Sequence, residues 1–230
     1  MLVLAIDTAS IYCAVALTRH KSVVARINEC MRTGHAEKLI GSIVQIIEQT
    51  NITLNQVDRI AVNIGPGSFT GVRVGVSTAR ALALALEIPA VGVSALEALA
   101  AQTITNKNAV STITVVIEAG RDMFYHQNFN ADLTPLGEPG LKTIENVIED
   151  LPQQTTLIGS AADTIALHMK DNKVNKKIIR EQTLYEAADI VSYAYVAANK
   201  KPQDPPRPLY LRNADAKQQT GFALPRKKYV

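Results

Sequence analysis

The stretch NIGPGSFTGVRVGVSTARALALALEIPA, residues 63–90, constrains the fold more than any other part of the chain. A β-rich run ends in a Gly-Pro-Gly turn, an apolar helix follows, and Pro89 stops it. Gly71, Gly75, Ala79 and Ala83 recur every four residues and so share one side of that helix. A ridge without side chains lets another backbone come close. Glycine inside a helix costs up to about 1 kcal/mol relative to alanine, and close packing is the natural compensation. Only a narrow strip (Arg73, Ser77, Arg80, Glu87) is polar, so the helix is expected to be covered on more than one side. The cover is either this chain's own elements or a second polypeptide. The expectation is a second polypeptide, with Gly71, Val72, Gly75, Val76, Ala79, Ala83 and Arg73 at the interface. Arginine at Gly75 or Ala79 should then abolish the pairing. Arg73 suits an ion pair at the rim of that interface or a contact within the chain.

The same loop has a phosphate reading. A glycine loop between a strand and a helix N-terminus can offer backbone N–H groups to an anion, and Gly65, Gly67, Ser68 and Thr70 suit that role. The lysine of a P-loop is missing, since Val72 follows Gly71, and Thr70 holds the place of the third glycine of GxGxxG. A Gly-Pro-Gly connection serves equally as a tight turn, so phosphate is the lesser reading.

Around this block the periodicity predicts short strands at 2–7, 12–19 and 22–28. The gaps between them suit antiparallel neighbours, because parallel strands need long crossovers. A helix over 36–49 carries Leu39, Ile40, Ile43, Val44, Ile46 and Ile47 within an arc of about 160°, a face expected to be used within the lobe. Next come a strand at 57–64, the helix at 71–87, a strand at 90–93 and a helix opened by the capping box Ser94-x-x-Glu97. Polar residues 105–108 suggest a lobe boundary. Beyond it lie strands at 112–118, 122–129 and 155–159, with helices at 143–151, 161–170 and 184–199. Two α/β lobes, 1–104 and 105–230, are the expected organisation.

Composition narrows the function classes. Cys13 and Cys30 show no metal or disulfide spacing, and His35-Ala-Glu37-Lys-Leu39 lacks the order of a zinc-hydrolase helix. The apolar N-terminus has no basic flank and Asp7 interrupts it. No uncharged run nears the roughly 18 residues of a membrane span, so a soluble cytoplasmic chain with no membrane contact is expected. From Lys200 onward eight Lys/Arg face two Asp, whereas residues 1–199 carry sixteen basic and nineteen acidic side chains. Such a tail either touches RNA phosphate or serves only solubility.

The segments LAIDTASIYCAVAL, TGHAEKLIGSI, NIGPGSFTGVRVGVSTARALAL, IPAVGVSALEALA and PLYLRN together resemble the bacterial TsaB (YeaZ) family. The resemblance runs over nearly the whole chain, is weakest between about 130 and 180, and is most specific in GPGSFTGxRxG. It implies an actin-, Hsp70- and sugar-kinase-like fold of two ribonuclease-H-like lobes with mixed sheets flanked by helices. It also implies work in making threonylcarbamoyladenosine beside the anticodon of tRNAs that read codons starting with A. The family's partners are a catalytic paralogue of the TsaD type and a small ATPase of the TsaE type. tRNA is expected to be met indirectly or through the basic tail, and a helix patch shared by paralogues can also make a homodimer when the chain is alone.

The paralogue's His-x-x-x-His metal pair falls on Ala95 and Leu99, neither of which can ligate a metal. Asp7, Thr8 and Ser10 occupy the first phosphate hairpin of this superfold, near Gly65 and Gly67, but without the glycines that close on phosphate. The second such loop should lie near Glu118–Asp122, and residues 112–230 look too few for a full second ATPase lobe. The resemblance therefore implies a non-catalytic partner that requires no cofactor and leaves weak ATP or ADP with Mg²⁺ at a subunit seam open. The alternatives are an ATPase or sugar-kinase-like enzyme using Asp7 and the glycine loop, and a glycoprotease-like peptidase, for which no nucleophile–base pair is visible.

Overall fold

The computed structural model describes residues 1–20, 22–105, 111–181 and 187–212. The first half builds β1 (Leu2–Asp7), β2 (Tyr12–Arg19), β3 (Ser22–Cys30), α1 (His35–Thr50), β4 (Arg59–Asn63), α2 (Phe69–Leu86), β5 (Ala90–Val93) and α3 (Ala95–Gln102). Its sheet runs β3-β2-β1-β4-β5. Short turns keep β1, β2 and β3 antiparallel, while α1 and α2 provide the crossovers that set β4 and β5 parallel to β1. The second half repeats the plan with β6 (Thr112–Glu118), β7 (Phe124–Asn130), β8 (Gly140–Lys142), α4 (Ile144–Asp150), β9 (Gln154–Ile158), α5 (Ala162–Asp171), β10 (Lys177–Arg180) and α6 (Ile190–Asn199). Its sheet reads β8-β7-β6-β9-β10, the same order. The second lobe thus repeats the five-stranded sheet of the first.

Strands β1 and β4 are buried along their whole length because both sheet faces are covered. Leu2, Leu4 and Ile6 point to the side of α1 and α2, and Val3 and Ala5 to the space between the sheets. The closing helices cross over. Helix α3 ends the first half yet packs on β6 and β7, whereas α6 ends the second half and packs on β1, β2, β4 and β5. Alanines at 5, 14, 16 and 61 of the first sheet, 98 and 101 of α3, and 194 and 197 of α6 line this shared core. Small side chains there let helix backbones come near both sheets.

Polar contacts hold α6 at both ends. Asp189 caps its start by accepting from Val191 N–H at 2.9 Å and pairs with Arg26 of β3 at 3.2 Å. At its end, the buried Arg59 of β4 donates through Nη1 to the carbonyls of Ala197 and Lys200, the latter at 2.8 Å. A cation on the last carbonyls of a helix is the favourable polarity. Lys200 in turn pairs with Glu97 at 2.6 Å, and Glu97 closes the expected capping box with Ser94.

The elements differ from the sequence reading in a few places. β8 and β10 are too short to stand out as periodic runs. The helix expected over 184–199 begins only at Ile190, because Asp189 takes an extended cap conformation, and residues 182–186 lie outside the described residues. Most of the expected lobe boundary, 106–108, and the tail from 213 onward also lie outside them. On α1 the apolar arc is split: Leu39, Ile43 and Ile46 are buried, but Ile40 and Val44 face outward. Helix α2, with 18 residues, has the length and composition of a membrane span, yet it is one layer of an α/β sandwich seated on β1 and β4.

Truncating Arg59 to alanine leaves buried carbonyls at the α6 end without their charged donor. A loss of about 2–3 kcal/mol is expected in urea unfolding, and an unchanged midpoint would refute that role. His126 of β7 is buried, with its pKa lowered to about 4 by burial, with Lys142 adding to the effect. A histidine kept neutral in the fold must take up its proton on unfolding below about 6.5. Its stabilising contribution is therefore complete above that pH and lost as pH falls toward about 4, roughly 3 kcal/mol in all. Unfolding curves of wild type and His126→Phe should diverge in pH dependence across that window, and parallel curves would contradict the assignment.

Candidate functional site

Helix α2 opens at Ser68, whose Oγ accepts from Gly71 N–H at 3.2 Å. The expected interface row faces inward. Gly71, Val72, Gly75, Val76, Ala79 and Ala83 are all buried under this chain's own residues. A Cβ on Gly71 would stand 1.9 Å from the Thr8 carbonyl oxygen, and one on Gly75 would stand 2.7 Å from Thr8 Oγ1 and 3.4 Å from Val62 Cγ2. The row of absent side chains seats α2 on β1 and β4, so the reading that it receives a partner is corrected. Arginine at Gly75 would disrupt the fold and cannot probe an interface. Arg73 serves a contact within the chain. Its guanidinium lies 3.7 Å over the Phe69 ring, and its Nε donates to Tyr210 Oη at 2.8 Å.

The residues marked for nucleotide, Asp7, Thr8, Ser10, Gly65 and Gly67, do come together where β1 and β4 end and α2 begins. Their hydrogen bonds are spent on one another. Asp7 is 1% exposed. Its Oδ1 accepts from Ala9 N–H at 2.8 Å, Ser10 N–H at 3.3 Å and Asn63 Nδ2 at 2.8 Å, and its Oδ2 from Ser10 Oγ at 2.7 Å. Burial raises its pKa, and those donors work against the rise. Thr8 Oγ1 donates to Gly71 O at 2.6 Å, and Ser68 N–H donates to Ala9 O at 2.7 Å. Gly67 is needed because a Cβ there would come within 2.3 Å of the Ala9 carbonyl. The turn after β1 is thus closed onto the Gly-Pro-Gly loop by its own backbone. An acid with both oxygens engaged and no exposed edge does not fit the holding of Mg²⁺. Asn63, which also accepts from Gly65 N–H at 2.8 Å, was not singled out in the sequence; only its place at the strand end could have signalled it.

Between the lobes lies a cleft of about 820 Å³. Ser10 and Ser68 line its first-lobe wall, and Glu118 and Ser160 its second-lobe wall, where Glu118 N–H donates to Ser160 Oγ at 2.9 Å. Ala95 and Leu99 form part of this lining. These two positions, which the family resemblance set against a metal pair, present a methyl and an isobutyl group to the cleft. Among the described residues, no three His, Cys, Asp or Glu side chains gather as a metal site.

α1 and α2 lie side by side on the outer face of the first sheet. They expose Ile40 at 53%, Val44 at 49% and Leu84 at 82%. Leu84 belongs to a surface hollow that also includes Arg80, Ala81 and Pro205.

The Gly75–Thr8 contact gives a direct check. Gly75→Ala should cost about 1–3 kcal/mol by overpacking. In a Thr8→Ala background the penalty should shrink, so that the double variant departs from additivity by 0.5 kcal/mol or more, on the order expected for touching groups. Additive losses in urea unfolding would mean the row seats elsewhere.

A family model described as "TsaD: tRNA N6-adenosine threonylcarbamoyltransferase" matches residues 27–230. A protein of Escherichia coli named tRNA threonylcarbamoyladenosine biosynthesis protein TsaB is 36% identical over 132 residues, which span 57% of this chain and 56% of that relative. A protein of the same name from Buchnera aphidicola is 30% identical over 210 residues, 88% of this chain and 96% of its own length. The solved structure of YeaZ from Pseudomonas aeruginosa superposes with a TM-score of 0.73 at 25% identity, covering 91% of this chain and 99% of that one. A hexokinase of Thermus thermophilus, at 11% identity and a TM-score of 0.54 over 85% of this chain and 98% of its own, shares the fold.

Proposed function

The chain belongs to the family of that transferase model, in its TsaB (YeaZ) branch, and from that premise we propose that it is a non-catalytic scaffold and activating subunit in making threonylcarbamoyladenosine on tRNA. In this reading it pairs in the cytoplasm with a TsaD-type transferase, and a TsaE-type ATPase joins the pair. It needs no cofactor of its own. The same face makes a homodimer when the partner is absent, as paralogues that share a helix pair can associate pseudosymmetrically.

The observation that carries the reading is the outer face of α1 and α2. Ile40 and Val44, one turn apart on α1, and Leu84 near the end of α2 each expose a large apolar side chain, surface that a docked partner would cover. The buried small-residue row supports this role from behind, since a helix seated tightly on a sheet presents its outward side in one fixed position. The inability of Ala95 and Leu99 to ligate metal supports a partner rather than a catalyst. A kinase-like enzyme would need an acid open to Mg²⁺ and a turn free to close on phosphate. The saturated Asp7 and the occupied backbone of Thr8–Ala9 speak against both.

The test uses exposed positions that the fold does not need. Leu84→Glu and Ile40→Glu should each weaken pairing with the transferase subunit by about 2 kcal/mol, roughly thirtyfold. The double variant should fail to restore tRNA modification in cells lacking this chain. A correctly folded double variant that still co-purifies with the transferase and sustains modification would sink the assignment.

A further inference from the structure

The wall of the Gly-Pro-Gly loop away from the inter-lobe cleft carries a second hollow, of about 700 Å³. It shares only Pro66 and Gly67 with that cleft. It is built where the PLYLR segment returns to α2: Leu209 N–H donates to Ile64 O at 2.7 Å, which fixes Tyr210 beside Phe69. The two rings are 5.2 Å apart at 35°, and each residue is 48% exposed. The Arg73 guanidinium is stacked on Phe69 and tethered through Nε to the Tyr210 phenol. Its two Nη nitrogens meet no acceptor among the described residues. Arg212 adds a second cation to the lining, where it donates to Gly120 O at 3.1 Å, and among the described residues no acidic side chain lines the hollow.

We propose that this hollow binds a nucleotide unit, its base stacked on Phe69 or Tyr210 and its phosphate held by Arg73 and Arg212. Aromatic faces take any base, and an arginine fork fixed by stacking suits bidentate contact with phosphate oxygens. The volume lies within the usual range for small-molecule sites. From Arg212 to the C-terminus the sequence carries five Lys/Arg and one Asp, so a polyanion is favoured over a single small anion. Single-stranded RNA and a free nucleotide share this chemistry. The choice of a tRNA fragment as probe rests on the function proposed above.

The probes are a fluorescein-labelled anticodon stem-loop RNA and AMP, each titrated onto the full-length protein at low salt. Phe69→Ala and Tyr210→Ala should weaken binding about 5- to 150-fold, the range for loss of one stacked base. Arg73→Gln should lower the slope of log affinity against log salt by about one. Tyr210→Phe keeps the ring but removes the tether of Arg73, so its loss should fall between wild type and Tyr210→Ala; this guards against a folding artefact. RNA binding with these losses and no competition from AMP identifies single-stranded RNA. AMP binding with the same losses identifies a free nucleotide. If neither probe binds, if all folded variants bind as wild type does, or if they lose only pairing with the transferase subunit, the proposal is overturned. Leu84→Glu separates the two readings: it should retain RNA binding while its pairing with the transferase subunit weakens about thirtyfold. Should it keep the partner while Phe69→Ala loses RNA, the docking assignment fails and this one stands.

Discussion

The contact between the Thr8–Ala9 backbone and the first turns of α2 governs the rest of the first lobe. Two carbonyl oxygens of the β1–β2 turn point at α2 where any side chain would collide, and glycines at 67 and 71 make the approach feasible. The approach brings the Thr8 hydroxyl onto the Gly71 carbonyl and the Ala9 carbonyl onto the Ser68 N–H, so the helix start and the strand turn satisfy each other. Asp7 is then enclosed among donors from the same turn and from Asn63. The loop whose sequence could have cradled phosphate here encloses the chain itself.

The two lobes follow one plan, and their closing helices are exchanged. Because α3 packs on the second sheet and α6 on the first, neither half completes its inner layer alone. That exchange explains why polar anchors collect at the ends of α6: Asp189 reaches β3 through Arg26, and Arg59 of β4 reaches its last carbonyls. It also places Ala95 and Leu99, at the start of α3, in the wall of the cleft between the lobes.

The helix α2 was legible in kind and misread in direction. The period of four announced a side built for close approach, and close approach is what it makes, on β1 and β4. The expectation of a second polypeptide came from counting apolar positions around the wheel, which reveals that a helix is covered but not by what. Arg73 likewise could not be resolved from its position on a polar strip, since its partners Phe69 and Tyr210 lie one turn away and 137 residues away. On α1, buried Ile43 and exposed Ile40 are the same residue type, so the split of that face was invisible to hydropathy.

Local rules acting within a few residues were enough for most strand and helix positions, the antiparallel opening and the Ser94–Glu97 cap. The specific GPGSFTGxRxG block likewise pointed to the family to which the chain belongs. Only the tertiary structure decided which surface each helix turns inward, that the closing helices change places, and that Asp7 is sealed. Those outcomes depend on contacts between residues far apart in the chain. Such contacts are set by backbone separation and packing, quantities that a string of residue types does not contain.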